Sequence, residues 1–244
     1  MKKIKVLSYN IHVLNYGKNK EQIVDVIKAI DPDIVGLQEI DMYADRSIVH
    51  GPGNQIKWLA EQLGYPYYHF SKTCDQRPDA PDRHTGEYGH GILSKFPIKE
   101  TEVKFFDFQN GEPRNYTRHI LDVDGEEVIF YNTHLCCGTW EQTGTEMIEW
   151  VERAYKETLP TVMTADLNVK VPEQIIRLDT EKLFPLNGGR DWSNLYEGCN
   201  PERSWDNIYC SNHFEPQPEN GHYMQVMDTD ASDHRPVWGT LLLK

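Results

Sequence analysis

The sequence predicts an α/β (α+β) domain built from two packed sheets flanked by helices. Three observations predict it. Short strand-like runs recur from the N-terminus to the C-terminus. Only a few segments between them carry helical spacing. No repeat, low-complexity tract or linker-like stretch divides the 244 residues, so residues 1–244 read as a single domain.

The elements follow in order. Ile4 to Ser8 is an apolar strand with alternating lysines. Asn19 to Ile30 reads as a helix, because Ile23, Ile27 and Ile30 recur on one face; Asn19 with Gln22 resembles a capping box. Asp31-Pro32-Asp33 ends it, and Ile34 to Gln38 reads as a buried strand. Gln55 to Leu63 is the second helix, with Ile56, Leu59, Ala60 and Leu63 aligned. Thr73 to Tyr88, with Arg77, Pro78, Pro81, Arg83 and His84, reads as a long polar loop that lines a site. Strand signals lie at Tyr67 to Ser71, Gly91 to Ser94, Val103 to Phe108, Tyr116 to Val123 and Val128 to Thr133. Asp124-Gly125 forms the tip of a hairpin between the last two. Met147, Val151 and Tyr155 mark a third helix. Thr161 to Thr164, Ile208 to Ser211 and Val237 to Leu242 read as strands, and Pro172 to Leu183 as a helix.

Composition narrows the function classes. The net charge of −13 disfavours tight, nonspecific nucleic-acid binding, in which Lys and Arg neutralise phosphates. It leaves room for an enzyme acting on a phosphate, since local charge can outweigh the global sum. Cys74, Cys136, Cys137, Cys199 and Cys210 are odd in number and lack CxxC spacing, so they read as reduced thiols. No apolar run approaches the roughly 20 residues of a membrane span, and no signal-peptide core follows Met1. A cytoplasmic protein is the expectation. Neither a Walker-type glycine loop nor a GxSxG elbow occurs.

Polar residues cluster where the strands end. Asn10, Glu39, His134, Asp166 with Asn168, Asp206, and Asp233 with His234 each lie at the end or edge of an apolar run. Carboxylate, amide and imidazole groups on one rim of a rigid scaffold suit a metal-assisted hydrolase. Oxygen donors without cysteine suit a hard cation, Mg²⁺ or Mn²⁺.

The ordered set SYNIH, LQEI, GHGILSKFPI, EPRNYTRH, NTHL, TADLN, WDNIYCS and SDHRPV resembles the endonuclease/exonuclease/phosphatase superfamily. That group includes pancreatic-type deoxyribonucleases, apurinic endonucleases, bacterial neutral sphingomyelinases and inositol-polyphosphate 5-phosphatases. The matches run from Ser8 to Val237. The resemblance implies a four-layered α/β sandwich with two mainly antiparallel sheets. It implies metal ligation by Glu39 with Asn10, with Asp233 supporting the metal or His234. Asp166 would orient or deprotonate the attacking water, and Asn168 would hold the phosphate or water. His234, oriented by Asp206, would contact the phosphate and donate a proton, and His134 would be a second phosphate contact. Two positions depart from the pattern: His90 stands where many relatives have asparagine, and Asn207 where a tyrosine is commoner.

Arg114, His90 and Glu87 are candidate substrate contacts. Each has a bland alternative: a Glu112–Arg114 ion pair, and a solvated surface for His12, His84, His90 and Glu87. Tyr88, Trp192 and Trp205 read as packing residues. The expected activity is hydrolysis of a phosphodiester or phosphomonoester by metal-assisted water attack. The expected partner is a phosphorylated small molecule or lipid head group. A magnesium-dependent nuclease acting on DNA or RNA is the alternative, and a catalytically silent binding module the third reading.

Overall fold

Residues 2–77, 85–107, 111–137, 140–168, 183–185 and 206–244 are described by the computed structural model. One sheet runs in the order β11 (Phe214–Gln217), β13 (Val237–Leu243), β1 (Lys2–Asn10), β2 (Ile34–Met42), β4 (Gly86–Ser94), β3 (Tyr67–Gln76), with β12 (Gln225–Val226) also paired to β13. The other runs β5 (Ile98–Phe105), β6 (Asn115–Val123), β7 (Glu126–His134), β8 (Thr161–Asp166), β10 (Asp206–Ser211), β9 (Leu183–Pro185). Both sheets are mainly antiparallel; β1 pairs in parallel with β2, and β7 with β8. Helices α2 (Lys20–Ile30) and α4 (Gln55–Leu63) cover the outer face of the first sheet through Ile23, Ile27 and Leu59. Helix α5 (Trp140–Tyr155) covers the second through Met147, Trp150 and Val151. The result is the expected four layers. No helix among the described residues is long and apolar enough to cross a membrane.

Strand parity explains where the polar residues go. Side chains alternate between faces with period two. Ile4 and Val6 enter the core between the sheets, while Leu7 and Tyr9 face the helices. The inner series therefore continues to Ser8 and Asn10. In β7, Val128 and Phe130 are inner, and Asn132 and His134 follow. In β8, Val162 is inner, followed by Thr164 and Asp166. One inter-sheet layer thus changes from apolar to polar along the strands, and its polar end forms the floor of a site.

A buried network closes the layer beneath that floor. The Asn132 amide donates to the carbonyls of Leu37 (3.0 Å) and Gly91 (2.9 Å), and its oxygen accepts from Gln38 (2.8 Å) and Thr164 (3.0 Å). Each donor or acceptor left unpaired there costs ~1–3 kcal/mol, so the network fixes how the sheets meet.

Several expectations need correction. The described residues of the polar segment from Thr73 to Tyr88 are largely strand: β3 continues to Gln76 and β4 begins at Gly86. The edge position of β3 leaves alternate polar side chains in solvent, which hides its periodicity. Residues 78–84, including His84, lie outside the described residues. β5 begins at Ile98, earlier than expected, because its exposed Lys99 and Glu100 mask an edge strand. The Asn19 side chain makes no cap bond to the helix. It donates instead to the carbonyls of Asp230 (3.4 Å) and Ala231 (3.1 Å), tethering the segment before Asp233. The Pro172 helix, Trp192, Trp205 and Cys199 also lie outside the described residues, except that Leu183 opens β9. Asp124 and Gly125 both have positive φ (50° and 92°), as the expected Asp-Gly hairpin turn requires.

Between β1 and α2, one turn (α1, His12–Tyr16) is left-handed at all five residues, with φ from 45° to 58°. Such a turn costs ~1–2 kcal/mol per residue, so it persists only where packing dictates it. Gly17 closes it against the backbone of Gly51, where a Cβ would not fit. The Gln55 amide donates to Val13 O (3.0 Å).

Buried histidines give the fold an acid-sensitive slope. The His69 and His119 rings meet edge to face at 5.2 Å, and His90 lies wholly buried beside them. Burial holds all three below the usual imidazole range, His90 at about 4. His134 is lowered by burial too. The unfolded chain binds these protons below about pH 6.5, and the folded chain does not until lower pH. Their contribution is therefore complete above that pH and is lost as pH falls toward 4. The raised carboxyls of Asp166 and Glu146 oppose it but are outnumbered. The melting temperature should fall between pH 6.5 and 4.5, and His90→Gln should flatten that slope. A melting temperature constant over this range would contradict the assignment.

Candidate active site

The floor of the site is Asn10, which is fully buried. Its amide nitrogen donates to Glu39 Oε1 (3.0 Å) and to Asp166 Oδ2 (2.8 Å), and its oxygen accepts the His12 backbone N–H (3.0 Å). One amide thus joins carboxylates from both sheets.

Glu39 reaches this point through a β-bulge. Leu37 and Ile40 both pack on the helix side, and the β2–β4 register shifts between them. The extra residue lets Glu39, with φ of 57°, meet Asn10. Strained backbone of this kind concentrates at functional sites. Asn168 is likewise left-handed, with φ of 48°.

Asp166, also fully buried, accepts the Asn168 backbone N–H at Oδ1 (3.0 Å). Its Oδ2 lies 3.4 Å from His134 Nε2 and 3.7 Å from His234 Nε2. Burial raises its carboxyl above the usual range, partly offset by His234. The Asn168 amide donates to His134 Nε2 (2.8 Å) and to Leu135 O (2.9 Å). His134 Nε2 is therefore an acceptor and its ring is neutral; it braces Asn168.

His234 Nδ1 lies 2.7 Å from Asp206 Oδ2, the pairing expected from the sequence. Burial alone would lower this imidazole, but the carboxylates of Asp206 and Asp166 reverse that and hold it well above its ordinary pKa. Asp233, largely exposed at the rim, lies 3.5 Å from His12 Nδ1. Ser232 Oγ anchors this segment by donating to Asn10 O (2.8 Å).

Asp166, Asp206 and His234 each offer an atom within 4.8 Å of the others, a grouping able to hold a metal ion. In that grouping a cationic imidazole already offsets part of the carboxylate charge, and a metal would displace the Asp206 bond. Glu39 instead presents a half-exposed carboxylate to the pocket. One such carboxylate beside an amide, with water and phosphate oxygens completing the shell, fits Mg²⁺.

These groups open into a cavity of about 310 Å³. Glu39, His134, Asn168, Asp233, His234 and Arg114 line it. His90 does not: its Nε2 bonds Asn115 Oδ1 (2.7 Å) deep between the sheets, so neither a surface nor a substrate position describes it. Glu87 is also absent from the wall and pairs with Lys72 (3.2 Å). Arg114 and Glu112 form the ion pair (3.0 Å) and both face the cavity. Tyr88 lines it too, where packing alone was expected. Gln76, like Tyr88, belongs to the Thr73–Tyr88 segment expected to line a site; Tyr16 and Arg46 were not foreseen, and only the fold brings them there.

Comparison with known proteins agrees with this architecture. No curated protein matches the sequence. Solved structures do, at identities that speak to the fold alone. An endonuclease/exonuclease/phosphatase from Beutenbergia cavernae superposes with a TM-score of 0.74 at 22% identity, covering 100% of this chain and 72% of that one. A mannosyl-6-phosphatase from Bacteroides thetaiotaomicron gives 0.69 at 18%, covering 98% and 100%. TDP2 from Caenorhabditis elegans gives 0.65 at 18%, covering 99% and 74%. Residues 7–234 match the sequence profile of one family, and that span contains every residue of the site; this chain belongs to the endonuclease/exonuclease/phosphatase family.

Proposed function

We propose that this chain is a Mg²⁺- or Mn²⁺-dependent hydrolase of small, polar phosphoesters. The observation that carries the reading is the continuous chain Glu39–Asn10–Asp166–His234–Asp206 at one end of the inter-sheet layer. Members of the family are hydrolases of phosphate esters. Held by Glu39 with Asn10, and with Asp233 in support, a divalent cation would neutralise charge on the phosphoryl oxygens. Asp166 orients the attacking water and accepts its proton, a task its raised carboxyl suits. Asn168, braced by His134, holds a phosphoryl oxygen. His234 Nε2 donates to the phosphoryl group and then to the leaving oxygen. Arg114 is a substrate contact at the wall. An inert binding module would not need this set of acid, base and strained backbone.

The net charge of −13 supports a small ester over duplex DNA as substrate. The test is specific activity on a panel of phosphomonoesters and phosphodiesters, with plasmid nicking run in parallel. Activity should require Mg²⁺ or Mn²⁺, vanish with EDTA and favour the small esters. Efficient nicking by nuclease-free protein, with small esters untouched, would reverse the reading in favour of a nuclease.

A further inference from the structure

We propose that His69 and His119 form a second metal site, separate from the catalytic cavity, that takes a late first-row transition ion such as Zn²⁺, Ni²⁺ or Cu²⁺.

The site lies where both sheets end. β3 and β5 are the outermost strands at one side of their sheets, and β3 packs against β5 and β6. His69 stands on β3 and His119 on β6. Their rings meet across the inter-sheet layer, with centres 5.2 Å apart and planes at 62°. His119 is wholly buried and His69 half-buried, so the pair keeps a route to solvent along the β3 edge.

Two ring nitrogens are left over at this contact. His119 Nε2 and His69 Nδ1 are buried, and neither has a hydrogen-bond partner among the described residues. Buried polar atoms are rarely left in that condition, and one ion shared by the rings accounts for both. The neighbouring His90 is different. Its Nε2 bonds Asn115 Oδ1 (2.7 Å) and its Nδ1 lies 3.2 Å from the Asn132 amide, so it has no nitrogen to give.

The His119 tautomer is prepared for ligation. Its ladder partner Thr101 places Oγ1 2.9 Å from Nδ1. An Nδ1–H donating to that hydroxyl leaves the free lone pair on Nε2, which is how a ligating histidine is usually oriented. Burial holds both imidazoles below their usual range, so at neutral pH no proton has to be displaced. The spacing also fits one ion. A metal about 2.0–2.1 Å from each nitrogen, at a tetrahedral angle, sets two imidazole centres roughly 5 Å apart.

The donors select the ion. Imidazole suits Zn²⁺, Ni²⁺ and Cu²⁺, whereas Mg²⁺ keeps to oxygen ligands. The oxygen donors at Glu39 and Asn10 therefore call for a different metal from this pair. Two neutral imidazoles leave the rest of the shell to water from the open edge, so binding is weaker than at a four-ligand structural zinc. The bound ion bridges the two sheets at their free edges and stabilises the fold by mass action.

The test titrates Ni²⁺ and Zn²⁺ by calorimetry into wild type, His69→Gln and His119→Phe, all in excess Mg²⁺. Wild type should bind one ion more than either variant. Ni²⁺ at about tenfold above its Kd should raise the wild-type melting temperature by about 3 °C or more, and that rise should be absent from both variants. Mg²⁺ or Mn²⁺ alone should give no rise that depends on His69. Equal stoichiometry and equal thermal shifts in wild type and both variants would overturn the site. A His69-dependent rise as large with Mg²⁺ as with Ni²⁺ would overturn the imidazole-selected ion class. Should His119→Phe fail to fold, His69→Gln, changed at the half-buried edge position, decides alone.

Discussion

Glu39→Gln is expected to weaken Mg²⁺ or Mn²⁺ binding by at least about 100-fold, more than the loss of an outer partner costs, and to remove most activity. The substitution keeps size and shape. Gln can still accept from the Asn10 amide through its carbonyl oxygen, so the bond to Glu39 Oε1 survives. It also leaves the bulge and the left-handed φ as they are, because those belong to the backbone. What changes is the charge, which dominates affinity for a hard cation. Calorimetric titration with Mn²⁺ reads this directly, without turnover. The melting temperature without metal should stay within a few degrees of wild type. Equal metal affinity in the two proteins would remove Glu39 from the metal site and turn attention to the Asp166, Asp206 and His234 grouping.

The bulge that places Glu39 also shows what a sequence conveys and what it withholds. Alternation in Ile4-Val6-Ser8-Asn10 and Val128-Phe130-Asn132-His134 can be read from residue order, so the polar rim was legible. Parity alone would send Glu39 to the helix side with Leu37; only the inserted residue turns it to Asn10. The pairing of Asp206 with His234 was legible through motif order, and the structure joins them at 2.7 Å. His90 was misread because a histidine beside glycines carries no signal of depth; its ladder position opposite Ser71, inside the β2–β4 register shift, buries it. Asn19 looked like a helix cap because the spacing to Gln22 is local, whereas its actual partners lie more than 200 residues away. Arg46 had no motif at all. Its place comes from Asp41 and from Tyr88, which only the β2–β4 ladder brings alongside.

The second large effect belongs to His234. Removing it as His234→Ala should lower kcat by about 10²–10⁴-fold, the usual contribution of a positioned acid or base. KM should change much less, because the donor matters most as charge develops on the leaving oxygen. The geometry fixes the direction of the pH effect as well. Burial disfavours the imidazolium, but the carboxylates of Asp206 and Asp166 outweigh it, so the ring stays protonated through neutral pH. Asp206→Asn removes the nearer charge, whose oxygen lies 2.7 Å from Nδ1, and leaves Asp166 at 3.7 Å from Nε2. The imidazole pKa must then fall. The alkaline limb of the kcat profile, where the acid form is lost, should move to lower pH. Because an amide keeps a hydrogen-bond acceptor for Nδ1, Asp206→Asn should cost less than His234→Ala at low pH and approach it as pH rises. The measurement is kcat and KM against pH for wild type and both variants. An alanine variant with near-normal kcat would reject His234 as the acid. An Asp206→Asn profile displaced toward higher pH would reject the electrostatic coupling between the two residues.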